Sequence, residues 1–396
     1  MTIHSTRRAL LSSLTGMAMI GLLALAPAAI QAQSRKVEMI ETPSGIKAWL
    51  VEERGIPLVA IKFAFQGGSL QDPAGKEGLA GFLAAALSEG AGDAGATEFA
   101  KRLAETGADL SFGASKDAIT GGLTALSKRL QPSVELLRLA LTAPRFDADA
   151  VDRVRAQRIG DLEYSSSEPR TIALDRWHAA AFPGHPYARP VNGTPGSVKS
   201  ITRDDIVAVH KRLIARSTLR VVIVGDIDRT GAIQLLDRIF SALPEKGAVA
   251  ALKRAEPQAV AKPVVVKLEQ PLATAAFGLP SLPTSHADYA ALQVLNHIIG
   301  SGDFDATLME EIRVKRGLAY AVQVSLVSDK VTAFMLGGMA TKNESMAEAL
   351  AVLKDVLKRT AEAGPTRDQV ENAKSYLTGS FLLDLDTNAK LASSLL

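Results

Sequence analysis

The chain has 396 residues, of which 47% are apolar, 45 are lysine or arginine and 42 are aspartate or glutamate. A chain of this length and composition can form two or three globular domains with large cores. Its near-neutral charge argues against a nucleic-acid partner, because nucleic-acid-binding proteins usually carry a basic face. The absence of cysteine excludes disulfides, thiolate metal ligands and a thiol nucleophile.

The amino-terminal segment has the pattern of a signal peptide. Arg7-Arg8 forms a basic start, Met17–Ala26 is a short apolar stretch, and Ile30-Gln31-Ala32 fits a cleavage site. The alternative is a membrane anchor, but the apolar stretch is shorter than the ~20 residues that span a bilayer. We expect a periplasmic or otherwise exported protein that begins at Gln33 and has no stable membrane insertion after cleavage.

The following residues predict strands and helices in alternation. β-Branched and aromatic residues between turn residues predict strands, and the segment Leu79–Leu87, apolar on every side, predicts a buried helix. Thr202, with Asp205 three residues later, predicts the start of another helix. The paired glycines Gly67-Gly68 and Gly121-Gly122 predict turns or bulges. The predicted strands are Lys36–Glu41, Lys47–Glu52, Leu58–Phe65, Asp109–Ser115, Ala118–Leu126 and Leu219–Val224, and the long helices are Leu130–Ala143 and Ala148–Tyr164.

The second half of the chain repeats the first. Gly107–Leu110 corresponds to Gly317–Tyr320, and each is preceded by a helix and followed by two strands and two long helices. We therefore predict an α+β fold of two homologous units, each a mostly antiparallel sheet with packed helices. The predicted divisions are a signal peptide over residues 1–32, a first unit over 33–243, a linker over 244–263 and a second unit over 264–396.

The lengths of the two copies differ. The first copy runs 118 residues from Gly107 to the strand end at Gly225, and the same span from Gly317 would reach position 435, beyond Leu396. The expectation is a second unit that is truncated or that has a different tail.

Residues that could carry chemistry are sparse. After the signal peptide, the histidines His178, His185, His210, His286 and His297 show no i, i+4 pair, so no local zinc motif exists. His178 and His185 flank an aromatic loop, which favours a structural role. No G-x-S-x-G elbow occurs, no G-x-G-x-x-G follows a strand, and there is no P-loop.

Two stretches resemble one family. Gly78–Gly90, after a strand and a turn, is similar to the helix that carries H-x-x-E-H in the inverzincin peptidases, which include pitrilysin, insulin-degrading enzyme and mitochondrial processing peptidase. The matching positions are Gly81, Ala84 and Ala85, none of which can ligate a metal or move a proton. Asp161 lies near the place of the family's third ligand, and a lone carboxylate there is better interpreted as a helix-end charge.

The second stretch, Thr307–Tyr320, resembles the family's second-domain signature. The resemblance implies that Arg313 and Tyr320 bind the substrate carbonyl and stabilise the tetrahedral intermediate. Their chemistry suits that role, because a guanidinium and a phenol can both donate to a developing oxyanion. The alternative is a surface arginine at a helix end and a strand tyrosine in the core.

The family resemblance implies half of a clam-shell chamber and a non-catalytic subunit of an exported heterodimeric zinc metallopeptidase. Such a chain would be inactive alone, hold no cofactor, and act with a homologous partner subunit that carries the zinc and with a peptide substrate. A zinc-independent peptide-binding or scaffold protein of the same fold is the alternative. An independent hydrolase with an unrecognised site is a third hypothesis, which the dispersed histidines disfavour.

Overall fold

The computed structural model describes residues 36–260, 262–381 and 383–396, so the predicted signal peptide lies outside the described residues. Within these ranges no helix combines the length and the apolar character that crossing a bilayer requires. Lys36–Leu396 forms one packed unit, in which two sheets of different size carry the two halves of the chain.

The larger sheet has six strands in the order β1-β2-β8-β3-β7-β6. β2 and β8 run parallel, and every other neighbouring pair is antiparallel. The predicted strands of the first half are all present, and β4 and β5 form a separate two-stranded ribbon. The strands are β1 (Val37–Glu41), β2 (Lys47–Glu52), β3 (Leu58–Gln66), β4 (Gly90–Ala91), β5 (Ala94–Gly95), β6 (Asp109–Ala114), β7 (Ala118–Leu126) and β8 (Leu219–Gly225).

Helices cover one face of this sheet. Phe63 in β3 is fully buried, with its ring centroid 5.8 Å from that of Phe65 and 5.6 Å from that of Phe240. As predicted, the Thr202 hydroxyl caps the helix that follows it, and Asp205 completes the capping box. The helices are α1 (Leu79–Ala86), α2 (Ala96–Thr106), α3 (Leu130–Thr142), α4 (Ala148–Ser165), α5 (Pro169–Ala181), α6 (Pro195–Ser200), α7 (Arg203–Leu213) and α8 (Arg229–Phe240).

The glycine pair Gly121-Gly122 corrects a prediction. Both residues lie inside β7, in regular register with Phe63 and Lys62 of β3, rather than in a turn or bulge. A Cβ on Gly121 would lie 2.2 Å from Cζ of Phe63. The position therefore needs glycine because the phenylalanine ring lies across the backbone. Gly67-Gly68, by contrast, has positive φ angles and turns the chain after β3, as predicted.

The second half contains a three-stranded antiparallel sheet in the order β10-β11-β9. Gly107 and Gly317, which the sequence repeat aligns, both have left-handed φ angles, 65° and 63°, immediately before β6 and β10. This shared geometry supports the internal repeat. The elements are β9 (Leu272–Pro280), α9 (Tyr289–Asn296), β10 (Ala319–Asp329), β11 (Thr332–Lys342), α10 (Met346–Ala363), α11 (Arg367–Phe381) and α12 (Asn388–Leu395), with π-helical turns at His297–Ser301 and Met309–Val314.

The two halves share a buried junction. Its apolar cluster joins Phe182 and Tyr187 of the first half to Phe334 of β11. Trp177 of α5 lies so close to β9 that a Cβ on Gly278 would be 2.3 Å from its ring. The Tyr187 hydroxyl donates to Asp329 Oδ2 at 2.8 Å, which adds a polar link across the junction.

Residues 250–255 of the segment predicted as a linker are held by hydrogen bonds to both halves of the chain. The Gln71 side chain pairs with the backbone of Ala250 through two hydrogen bonds, of 2.8 and 3.1 Å. His185 Nε2 lies 3.1 Å from the carbonyl of Lys253, and the N–H of Ala255 donates to Val331 at 2.9 Å. This part of the linker is therefore a fixed strap across the junction.

The last helix returns to the first half. Leu391 and Ala392 of α12 pack on Val51, Val222 and Val224, on the sheet face opposite the main helical layer. The structure confirms the predicted α+β class, with sheets flanked by packed helices. The exact divisions at 33–243, 244–263 and 264–396 stay predictions, as does the chamber.

Candidate functional site

The helix α1 begins at a buried carboxylate. Asp72 accepts hydrogen bonds from the backbone N–H groups of Gly78, at 2.9 Å, and Ala80, at 3.0 Å. An acidic group at this end also interacts favourably with the helix dipole. Burial raises the pKa of Asp72 to about 7, while the N–H donors and Arg189 act in the opposite direction. The carboxyl group positions the helix that would carry a family member's metal ligands.

The three motif positions lie on this helix without any ligating group. Gly81 and Ala84 are buried and Ala85 is half-buried, and their neighbours form part of the main core. No group of three or more histidine, aspartate or glutamate side chains able to hold a metal occurs among the described residues. The helix thus has the position of a metal-binding element and an apolar composition.

An arginine fills the space beside the first motif position. Arg158 of α4 donates from Nη1 to the carbonyl of Gly81 at 3.3 Å. A Cβ on Gly81 would lie 2.7 Å from Arg158 Nη2. A histidine at position 81 would therefore have to displace the guanidinium. Asp161, one turn further along α4, is exposed, which fits its interpretation as a surface charge.

The histidines are held apart in structural contacts. The His178 ring lies 5.0 Å from that of Trp177 and 5.9 Å from that of Phe334, and burial lowers the pKa of His178 to about 4. His185 accepts from the N–H of Tyr187 through Nδ1 at 3.2 Å. His210 contacts the Leu141 carbonyl through Nε2 at 2.8 Å.

Arg313 and Tyr320, in contrast, are brought together. Arg313 lies in the π-helical turn Met309–Val314 and Tyr320 in the first residues of β10. The guanidinium carbon lies 4.8 Å from the centroid of the Tyr320 ring and 4.8 Å from that of the Phe304 ring. Two aromatic faces around one cation fix the plane of the guanidinium.

This arrangement is exposed. Tyr320 is 80% exposed and Phe304 is 62% exposed, so the interpretation of Tyr320 as a core residue is wrong. Phe304 was not among the candidate residues of the sequence. In the sequence, Phe304 is marked only by its position just after Gly300-Ser301-Gly302. That position does not indicate a contact with Arg313, nine residues further along the chain.

A separate charge network holds the backbone beneath the pair. Glu311 accepts from Lys315 and Arg316, each at 2.7 Å, and these hydrogen bonds lower the pKa of its carboxyl group. The N–H of Leu318 donates to the carbonyl of Ile312 at 2.9 Å, which fixes the turn into β10. Lys315 and Arg316 are thus both paired with Glu311, whereas the Arg313 guanidinium contacts only the two aromatic rings among the described residues.

Two family models match most of the chain. The model described as Insulinase (Peptidase family M16) matches residues 49–195, and the model described as Peptidase M16 inactive domain matches residues 200–377. The folds and the empty motif positions define a metallopeptidase-like protein without its own metal site. The chain belongs to peptidase family M16, the insulinase family, as a member that lacks the zinc ligands.

Similar proteins agree with this assignment. The chain is 28% identical over 330 residues to the non-peptidase homolog YmxG of Helicobacter pylori, across 83% of this chain and 76% of that protein. It is 25% identical over 331 residues to an uncharacterized zinc protease of Mycobacterium tuberculosis, across 83% and 75%. A crystal structure of a peptidase M16 inactive domain from Pseudomonas fluorescens matches with a TM-score of 0.83 and 28% identity, across 91% of this chain and 86% of that one.

Proposed function

We propose that this chain is the non-catalytic subunit of an exported heterodimeric zinc metallopeptidase. It supplies Arg313 and Tyr320 to the active site of a homologous partner that carries H-x-x-E-H and the zinc. The observation that supports this proposal is the pair itself, with Tyr320 exposed and the half-buried Arg313 guanidinium held between Phe304 and Tyr320.

The polar ends of both side chains are available to a ligand. Within the described ranges, neither the Arg313 guanidinium nor the Tyr320 hydroxyl has a hydrogen-bond or ion-pair partner. A guanidinium has five N–H donors and a phenol one O–H donor. Donors fixed in advance stabilise a developing oxyanion without reorganising during the reaction.

A peptide could also be held by the edge of the larger sheet. β6 is its last strand, so its outer backbone groups have no strand partner in the described part of the chain. An extended peptide can add to such an edge through main-chain hydrogen bonds. β6 also packs beside α1, so a peptide on this edge would pass close to the vestigial motif.

The alternative is a zinc-independent peptide-binding or scaffold protein of the same fold. The Arg158 guanidinium beside Gly81 favours it, because a cation occupies the space next to the first motif position. The three functions differ in what Arg313 and Tyr320 do. A peptidase subunit uses them for turnover, a binding protein uses them for affinity, and a scaffold uses them for neither.

The deciding experiment mixes the full chain with a homologue that has an intact H-x-x-E-H and follows cleavage of a quenched peptide. Arg313→Ala should lower turnover by roughly 10²–10³, and Tyr320→Phe somewhat less, because each removes one oxyanion donor. Assembly of the complex should be unchanged. Arg367→Ala and Tyr376→Phe, at exposed positions of α11, are matched controls.

Unchanged turnover with both residues replaced would remove the basis of the peptidase assignment. Weaker peptide affinity without any turnover to lose would instead support the binding protein. Export is tested separately by intact-mass measurement of the native protein, which should begin at Gln33. A membrane-bound species that retains residues 1–32 would support an anchor.

A further inference from the structure

The guanidinium of Arg158 lacks acceptors for most of its donors. Nη1 donates to the Gly81 carbonyl at 3.3 Å and Nη2 to Asn192 Oδ1 at 3.5 Å, both long for charged donors. Nε is buried without any partner. No carboxylate lies within 4.0 Å of this guanidinium in the described residues. The Arg158 guanidinium, which has five N–H donors, thus makes only two long hydrogen bonds among the described residues.

The charge at this position is nevertheless retained. Burial lowers the pKa of Arg158, but Asp161 and Asp72 act in the opposite direction, and an arginine stays protonated at any physiological pH. The residue as a whole is half-buried, so part of its side chain is open to solvent. A partly desolvated cation with no carboxylate in direct contact attracts an anion.

The shape of the group selects the kind of anion. The planar guanidinium fork matches the two oxygens of a carboxylate, with which it forms paired hydrogen bonds. Gly81 contributes no side chain, and Arg158 fills the space that a side chain there would need. Helix α1, which contains Gly81, packs against β6, and β6 is the edge strand to which an extended peptide can add. A peptide that ends near α1 would bring its terminal carboxylate to this cation.

We propose that Arg158 binds the carboxyl terminus of a peptide held along the β6 edge, in the place where an active family member would hold its metal ion. The proposal rests on the peptide binding that is part of the proposed function. It makes the vestigial motif a carboxylate-binding site, with Arg158 as the anchoring cation and Asn192 as its neighbour.

The test uses the full chain alone and two labelled decapeptides of one sequence, one with a free carboxyl terminus and one amidated. Fluorescence anisotropy should show that the acid peptide binds about tenfold or more tightly than the amide, because one charged hydrogen-bonded pair is lost. In Arg158→Gln the acid and the amide should bind equally, both at the level of the amide. Arg158→Lys, which keeps the charge and loses the fork, should retain part of the preference.

Arg153→Gln is the matched control, since Arg153 lies on the same helix but is exposed and paired with Glu89. It should keep the full preference for the acid peptide. Thermal unfolding of each variant shows that the comparison is made between folded proteins. Because the zinc-bearing partner is absent, the result does not depend on the roles of Arg313 and Tyr320.

Equal binding of acid and amide by the wild-type chain would overturn the proposal, and so would a preference that survives in Arg158→Gln. Failure of both peptides to bind would overturn it as well. Acetate in excess should weaken binding of the acid peptide and leave the amide unaffected. If acetate alone binds as tightly as the acid peptide, the site serves small carboxylates and the peptide assignment is wrong.

Discussion

Two regions of this molecule contain the stretches that resemble the family's two signatures, and they have opposite character. Around α1 the ligand positions are glycine and alanine, the surroundings are core, and Arg158 fills the space beside Gly81. Around β10 the polar residues are present: Tyr320 is exposed, Arg313 is half-buried between two aromatic rings, and neither polar end has a protein partner among the described residues. Exposed aromatic and cationic side chains contribute little to stability. The pair therefore contributes little to the fold itself, unlike the core residues around α1.

The largest expected effect comes from restoring the zinc-binding motif on α1. Restoring the motif with Gly81→His, Ala84→Glu and Ala85→His should destabilise the fold and yield little peptidase activity. Each buried polar group without partners costs on the order of 1–3 kcal/mol, and the histidine at 81 would have to displace the Arg158 guanidinium. Denaturant unfolding and elemental analysis measure the outcome.

Adding Arg158→Ala to the triple variant is the control. It removes the guanidinium that the histidine at position 81 would displace, and it should recover part of the lost stability. The unmodified chain, purified without chelator, should contain no stoichiometric zinc. A stable, zinc-loaded and active triple variant would show that the region around α1 is still an intact site, and the contrast between the two regions would fail.

A smaller effect, on the pH dependence of stability, tests whether His178 is a buried structural residue. Burial lowers the pKa of His178 to about 4, against an ordinary value of about 6.5. The unfolded chain therefore binds a proton at a higher pH than the folded chain, so stability is lost as the pH falls from about 6.5 to about 4. His178→Leu should reduce this loss by about 3 kcal/mol, which unfolding curves at several pH values measure.

His286→Leu, at an exposed histidine, is the matched control and should follow the wild-type pH dependence. If His178→Leu keeps the full acid sensitivity, the His178 ring is not a buried neutral group of the junction. Its interpretation as a structural residue would then need revision.

The smallest effect tests the clamp on Arg313. Phe304→Ala removes one of the two rings around the guanidinium, and an exposed cation–π contact contributes about 0.5–1 kcal/mol. Turnover by the mixed complex should fall about two- to fivefold, with the thermal stability unchanged because Phe304 is 62% exposed. Phe381→Ala, another exposed phenylalanine, should leave turnover unaffected. Equal losses in both variants would argue against a specific clamp.

The sequence predicted best those features that depend on neighbouring residues. The strand Lys47–Glu52 and the cap at Thr202 follow from local pattern, and the structure has both. The pairing of Arg313 with Tyr320 was predictable through the family signature, since the two residues flank one tight turn.

Features that depend on distant packing were not predictable. Arg158 gave no signal because its contact with Gly81 joins residues 77 positions apart. Gly121 looked like a turn residue because nothing local shows that the Phe63 ring crosses it. The segment 244–263 had the composition of a flexible linker, and the order of the strap within it comes from side chains such as that of Gln71 in the first half.

The junction between the halves has a mechanical consequence. The strap, the Trp177–Gly278 contact and the Tyr187–Asp329 hydrogen bond join the two sheets at separate points. Spreading the halves would break all of them together and expose the aromatic cluster to water. The two halves of the chain therefore form one rigid body rather than two bodies that move independently. If it encloses a peptide with a second subunit, the opening that admits the peptide must come from movement between the two subunits.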